Sequence, residues 1–495
     1  MILAWGAAAS AAPTVGGVLR PELAIDLPGE KNQLPGEFST DVNTFGRAFA
    51  RDETQRGDLW FFEARFQHHA WFPQGAEGLG ETEGWWDMGL GETGFDGKLG
   101  GPVRLRIGAL VERWGKLDLL PVADVINPRD GRSGLMTPLE YQKIPVPMAT
   151  VVVGNDTFRS KTSLIPFSTA DRLWLRETDW SYVRQGWTDA YLSSIKGWRD
   201  PDGDVANGWN SLVTSLRLSQ QELGPSLRRG LDQAVNGKNI PEALLVNGEI
   251  AQRFELRLHS LDLAVMGGLL RSRQPQTALD PAIVDFLKGG VAPSDDDIVA
   301  FQQEVVQPAL QGGPLDVSWP RTAVVGADGS ALVGPVQVRG EAMWQSHRVV
   351  RQPWGQSTTV PQLGAGLGLD YFRGSSFQLT LEARWLHLFD PPAKMVLSLP
   401  DQVQLAGGLR WSFVRDQVFV QLGGAYDVSF AEGLVRPTVG VRATDWLQLE
   451  LGAVVLGGLD TPPPAGLEEA LTYQGGPLSY WSQNDAITFA VSLIR

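Results

Sequence analysis

Over most of the chain, apolar and polar residues alternate one by one in segments of about ten residues, the period of a strand with one apolar and one polar face. In Phe377 to Trp385, Phe377, Leu379, Leu381, Ala383 and Trp385 share one face, and Gln378, Thr380, Glu382 and Arg384 the other. Val403, Leu405, Leu409, Trp411 and Phe413 likewise oppose Gln404, Arg410 and Ser412. Val435, Val439 and Val441 oppose Arg436, Thr438 and Arg442. The N-terminal half repeats the pattern: Trp60, Phe62, Ala64 and Phe66 against Glu63, Arg65 and Gln67, then Val103, Leu105 and Ile107 against Arg104, Arg106 and Glu112. The alternation predicts eighteen strands, with a range of 16 to 18, near 17–27, 39–51, 57–72, 83–97, 101–113, 145–154, 156–166, 248–260, 261–272, 319–329, 332–346, 359–374, 375–390, 402–414, 416–428, 433–443, 446–458 and 483–494.

A soluble sandwich also alternates. Three features favour an all-β, transmembrane antiparallel barrel. Aromatics stand near the ends of the apolar faces, as interface girdles require. The polar faces carry charges such as Arg104 with Arg106 and Arg339 with Glu341, which a wet lumen tolerates and a dry core does not. Every second connection reads as a tight turn: Gly154-Asn155-Asp156, Ala327-Asp328-Gly329-Ser330, Arg373-Gly374-Ser375, Arg415-Asp416 and Thr444-Asp445. The others are long, near 114–144, 167–247 and 273–318. Short periplasmic turns and long external loops, some of them with helix, are the asymmetry of outer-membrane barrels. The long loops carry helical patterns at 212–235 and, capped by Ser294-Asp295-Asp296-Asp297, from Ile298 to Gln307.

No stretch is long and apolar enough for a membrane-spanning helix. Residues 1–11 resemble the end of a signal peptide, with Ala9-Ser10-Ala11 as the cleavage pattern, leaving 12–495 as one barrel domain. The 495 residues carry 42 basic and 56 acidic side chains, a formal charge of -14, which argues against a nucleic-acid partner. With no cysteine, thiolate catalysis, disulfides and cysteine-based metal sites are excluded. His68 and His69 point to opposite faces of one strand and cannot share a metal. Asp200-Pro-Asp202-Gly-Asp204 has calcium-loop spacing without the closing glutamate, so a solvated turn is favoured. The Gly364-Ala-Gly366-Leu-Gly368 run lies in a strand, where glycine marks bends or close packing, not a dinucleotide loop. No nucleophile elbow or triad appears, so neither an enzyme nor a cofactor is expected.

Leu105 to Asp130, reading LRIGALVERWGKLDLLPVADVINPRD, resembles the signature of the outer-membrane barrels catalogued as domain of unknown function thirteen-oh-two. Lys143-Ile144-Pro145, Pro320-Arg321-Thr322, Gly326-Ala327-Asp328, Arg339-Gly340-Glu341-Ala342 and Asn484-Asp485 are similar to its other pieces, from about residue 58 onward. The resemblance implies a porin-like barrel in a Gram-negative outer membrane, often working beside an efflux-type exporter. Outer-membrane lipid and the barrel-assembly machinery are then its partners. Arg495 stands where such barrels usually end in an aromatic.

The candidate pore residues are Arg104, Arg106, Glu112, Arg339, Glu341, Glu382, Arg384, Arg410, Arg436 and Arg442. The segment 114–144 is expected to fold into the lumen as a constriction, through Trp114, Asp124, Asn127, Pro128, Arg129 and Asp130. Asn-Pro starts a turn, and Arg129 and Asp130 could pin it. Trp114, after a strand with a charged face, is expected at the rim as an interface anchor. The inward list is basic, and Arg104, Arg106, Arg410 and Arg442 are read as the main source of a preference for anionic or amphiphilic solutes. A non-conducting scaffold in an envelope-spanning assembly and a secreted carbohydrate-binding β-protein are the alternatives. The second wants tryptophans beside paired acids, whereas Trp60, Trp385 and Trp411 sit among aliphatics.

Overall fold

The computed structural model describes residues 13–27, 38–74, 83–132, 138–172, 248–279, 315–458, 461–482 and 484–495, with Gly134, Pro281 and Val284. The signal-peptide remnant, both helical patterns and Asp200 to Asp204 lie outside the described residues.

The strands are β1 (Thr14–Asp26), β2 (Phe38–Glu53), β3 (Leu59–Gln74), β4 (Glu83–Leu90), β5 (Thr93–Gly100), β6 (Val103–Leu110), β7 (Val146–Gly154), β8 (Phe158–Ile165), β9 (Glu249–Leu258) and β10 (Leu261–Arg271). A small hairpin, β11 (Gln276–Leu279) with β12 (Leu315–Ser318), stands apart from the main sheet. The wall resumes with β13 (Arg321–Val333), β14 (Val336–Arg351), β15 (Ser357–Arg373), β16 (Phe377–Leu388), β17 (Asp401–Phe413), β18 (Val418–Asp427), β19 (Glu432–Thr444), β20 (Leu447–Gly458) and β21 (Ala486–Ile494).

Each wall strand pairs antiparallel with the next, and β21 returns to pair with β1, Phe489 opposite Leu23. The sheet is therefore closed and has no edge, which removes the unpaired backbone groups that lipid could not satisfy. β4 and β5 run end to end along the same partner, β3, and divide at Gly91, whose N–H donates to the Glu63 carbonyl at 2.8 Å. Counting them as one interrupted strand, the nineteen-stranded sheet is an eighteen-strand barrel. The short connections gather at one end and the long ones at the other.

One expected turn is misplaced. Ala327 to Ser330 lies inside β13, and the reversal comes at Gly334-Pro335, where Gly334 takes a φ of 61°. Asp328 and Glu341 stand opposite each other across β13 and β14. The Asp-Gly pair is no turn because Asp328 serves the lumen: both its oxygens accept hydrogen bonds from Arg253, at 2.5 and 2.9 Å.

The two faces separate as the alternation requires. Leu381, Leu405, Trp411, Leu422, Val439, Leu451 and Phe489 are exposed on the outside, while Glu22, Glu63, Glu382 and Asp427 are buried toward the inside. Outward Leu449 stands between Val441 and Val491, and inward Gln448 bonds Glu450 at 2.5 Å. Arginine at Leu381, Leu449 or Val491 should weaken folding into vesicles by about 2–4 kcal/mol near midplane, while arginine at Gln448 costs far less. Heat-modifiable gel mobility reads the folded fraction, and equal loss on both faces would overturn this register.

Candidate functional site: the folded-in segment and its cationic cavity

Residues 111–132 leave β6 and enter the barrel, and residues 138–145 lead back to β7. From residue 111 to 128 the backbone has no helix or ladder to satisfy its N–H groups, so the wall must supply acceptors. Glu341 accepts from the N–H groups of Lys116 at 2.6 Å, Leu117 and Ala123 at 3.1 Å, and also from Val122. Glu382 accepts from Asp118 at 2.9 Å, Leu119 at 2.9 Å and Leu120 at 2.7 Å. Gly115 donates to Asp328 at 3.2 Å. Arg339 ties the segment to the wall, reaching Asp118 at 2.7 Å, Asp370 at 2.7 Å and Glu382 at 2.9 Å.

Shape follows the same plan. Gly115 has a φ of 83°, and a Cβ there would run into the Glu341 carboxylate. The inward glycines of β15 are filled from inside: a Cβ on Gly364 would meet Val122 at 2.6 Å, one on Gly368 would meet Leu117 at 2.8 Å, and one on Gly366 would also strike Leu117. The glycine run is thus close packing, with the segment as its partner. Trp114, Val122, Ala123 and Ile126 are buried in one cluster with the inward side chains Met148, Ile165, Ala251, Met266, Leu270, Val324 and Met343. This corrects the expectation for Trp114, which is 4% exposed inside the barrel rather than anchored at its rim.

The base of the segment is tied by its Asn-Pro-Arg-Asp stretch. The Asn127 amide donates to the Leu110 and Ile144 carbonyls, both at 2.9 Å, and its oxygen accepts from the Glu112 N–H at 2.8 Å. One side chain thereby joins the outgoing and returning legs. The Pro128 carbonyl accepts from Ile144, and Asp130 pairs with Arg132 at 2.6 Å. Arg129 does not pair with Asp130: its N–H bonds Asp171 at 2.8 Å and its guanidinium lies 3.5 Å from Asp124, which Lys143 also holds at 2.5 Å.

On the long-connection side of the segment lies a cavity of about 430 Å³. Its floor is Pro121 to Asn127, its wall the upper parts of β13 to β17, and its rim Val396, Leu397, Pro477 and Trp481. Among the described residues, six arginines line it, Arg129, Arg271, Arg273, Arg348, Arg351 and Arg384, against two carboxylates, Asp124 and Asp171. Arg273 is held by Glu249 at 2.6 Å, and Arg384 by the Gln404 oxygen at 3.0 Å and the Pro121 carbonyl at 3.1 Å. Arg129, Arg348 and Arg384 stand near enough to repel one another. Burial pushes the Asp171 carboxyl above the ordinary carboxylate range, against the pull of the Arg129 N–H and the guanidiniums of Arg273, Arg129 and Arg348.

The other pore residues are dispersed. Arg104 pairs with Asp96, and Arg106 with Glu112 at 2.8 Å and Asp96 at 3.5 Å. Their charge is matched locally, so they are not the surplus expected of them. Arg410 lies over the Phe419 ring at 4.3 Å, and Arg436 reaches Glu22 at 3.6 Å. Arg442 is exposed near the short-turn end, its N–H bonded to the Gln417 carbonyl. His69 faces in, 3.0 Å from Asp41, and His68 faces out against Trp86.

Arg348 escaped the alternation for a structural reason. The β14–β15 register slips by one residue between Gln345 and Arg348, and this bulge brings Arg348 onto the lumen face opposite Val360. The filling of the lumen had a visible signal: β7 and β10 are apolar on both faces, with Met148, Met266 and Leu270 inward. A wet wall has no use for that.

No family model matches the chain, and no curated protein matches it. Among solved structures it is similar to Pseudomonas aeruginosa OpdK with vanillate, at 8% identity over 98% of each chain and a TM-score of 0.45. It is similar to P. aeruginosa OccK5, at 8% identity over 98% of this chain and 97% of that one, with a TM-score of 0.44. Salmonella typhi OmpF in complex with daunomycin gives 7% identity over 98% and 97%, with a TM-score of 0.41. These are outer-membrane porins, and at such identities no residue of the site carries over.

Glu341→Ala strips four N–H groups of their acceptor, at about 1–3 kcal/mol for each donor left buried and unpaired. The segment should come loose, giving a larger single-channel current and new protease cuts between residues 114 and 127, with the barrel still heat-modifiable. Gly115→Ala should act the same way through strain. Unchanged current and unchanged cleavage in both folded variants would place the hold elsewhere.

Proposed function

We propose that this chain is a porin-like channel of a Gram-negative outer membrane that takes up and passes small anionic solutes, including amphiphilic ones. The observation that carries the reading is the cavity above the folded-in segment. Among the described residues its arginines outnumber its two carboxylates even with Arg273 matched by Glu249, Asp124 is already bound by Lys143, and Arg384 has only uncharged hydrogen-bond acceptors. In a narrow space with low-dielectric walls such a surplus concentrates anions and repels cations. The apolar rim of Val396, Leu397 and Trp481 adds a surface for the uncharged part of a solute. The closed wall with its apolar exterior supports outer-membrane lipid as the surroundings.

The family resemblance adds an efflux-type exporter as a working partner and the barrel-assembly machinery as the route into the membrane. A non-conducting scaffold fits less well. It calls for a lumen packed shut all round, whereas inward Gln421 is exposed and Arg410 and Arg436 are half-exposed.

Reversal potentials in a salt gradient test the reading. The wild-type barrel should prefer anions, and the double replacement of Arg348 and Arg384 by glutamine should lower the anion-to-cation ratio roughly several-fold. Replacing Arg104 and Arg106 instead should change it little, because Asp96 and Glu112 already match them. Cation preference in the wild type would refute the proposal.

A further inference from the structure

The lumen is filled unevenly, and this locates the path. Beneath the segment, the inward side chains Met148, Thr150, Ala251, Met266, Met343 and Glu382 are all under 6% exposed, whereas toward the short turns Lys161, Arg257, Asp262 and Gln378 are open. The inner face of β17 to β19 differs. On β17 the inward positions are Gln404, Ala406, Gly408 and Arg410, and on β18 they are Gln421, Gly423 and Ala425. Gly408 stands opposite Gly423, and Gly423 opposite Arg436 of β19. A Cβ built on Gly408 meets nothing within 4 Å among the described residues, and one on Gly423 meets only the Arg436 carbonyl, at 3.9 Å. The inward glycines of β15, by contrast, are pressed by Leu117 and Val122.

We infer that solute crosses the barrel along the inner face of β17–β19, beside the folded-in segment, with Gly408 and Gly423 setting the width of the passage. The inference rests on the channel reading above and specifies its route. The route joins the cavity directly. Gln402 and Gln404 line the cavity's lower edge and also begin the inward row of β17 that leads to Arg410. A solute leaving the Arg384 guanidinium, itself bonded to Gln404, next meets Ala406 and Ala425, then the open glycine pair with Arg436 in register beside it, and then Arg410. Arg384 and Arg410 thus stand at the two ends of a stretch lined on β17 and β18 only by alanine and glycine. A side chain at either glycine points into the passage, so these two positions set the size of what passes.

The chain has no cysteine, so each introduced thiol is unique. Gly408→Cys and Gly423→Cys are compared with Ala251→Cys, which lies 1% exposed under the segment. Each is recorded in planar bilayers before and after the anionic reagent 2-sulfonatoethyl methanethiosulfonate, with labelling followed by mass. Current through the Gly408 and Gly423 variants should fall at least roughly twofold on labelling, and that through Ala251→Cys should not change. Full labelling at residues 408 and 423 with unchanged current overturns the route, as does failure of the thiols to label in a conducting barrel. Block through residue 251 alone would put the passage under the segment. Absence of current in the unmodified wild type would instead remove the channel reading itself.

Discussion

Seven peptide N–H groups between Lys116 and Ala123 point at two carboxylates, Glu341 and Glu382. A carboxylate offers about four acceptor sites. Glu341 receives four N–H groups, and Glu382 receives three with one arm of Arg339. Both are therefore filled. This matters because an irregular chain lying inside a barrel has only two ways to satisfy its donors, water or the wall. Water would leave it mobile. Two saturated carboxylates hold it in one place, and charged acceptors form stronger bonds than neutral ones. The glycines at 115, 364, 366 and 368 follow from this anchoring, since they are where the backbone and the leucine and valine side chains must approach the wall.

With the segment anchored to β13–β16, the barrel becomes asymmetric. One half of its cross-section is a packed core of Met148, Met266, Leu270 and Met343 against Trp114 and Ile126, as dry as the inside of a soluble domain. The inner face of β17–β19 keeps half-exposed polar side chains such as Arg410 and Arg436. Dry packing gives the segment stiffness, and stiffness lets the arginines of the cavity hold fixed positions over its floor. Asn127 serves the same end at the base, where one amide couples β6 to the lead-in of β7 through the Leu110 and Ile144 carbonyls.

The barrel was legible because its rule is local. A strand between lipid and lumen must alternate, and Phe377 to Trp385 or Val435 to Arg442 shows it without any knowledge of neighbours. What failed were places where a distant partner sets the local choice. Asp328-Gly329 reads as a turn until Arg253, across the sheet, takes up the aspartate. Trp114 reads as a girdle residue until the segment carries it inside. Arg348 falls beyond the predicted strand 332–346, and it faces the lumen because a single extra residue in β14 shifts the parity. The glycine run of β15 announced close packing, but its partner lies about 250 residues earlier in the chain, at Leu117 and Val122, beyond the reach of any periodic pattern.

The sign of the lumen shows how far charge counting goes. Taken by face, the inward list is basic overall, with Glu341 and Glu382 offsetting only Arg339 and Arg384. The structure distributes them otherwise. Glu341 gives its charge to peptide dipoles, not to an arginine, and Glu382 gives most of its own. Arg384 is left with the Gln404 oxygen and a carbonyl as partners, neither of which carries a formal charge. Anchoring the segment thus does a second thing. It withdraws acids from the pool that would otherwise neutralise the cavity, and a chain with a formal charge of -14 presents a basic chamber. Mechanical hold and electrostatic preference come from the same two glutamates, so a change that loosens one must alter the other.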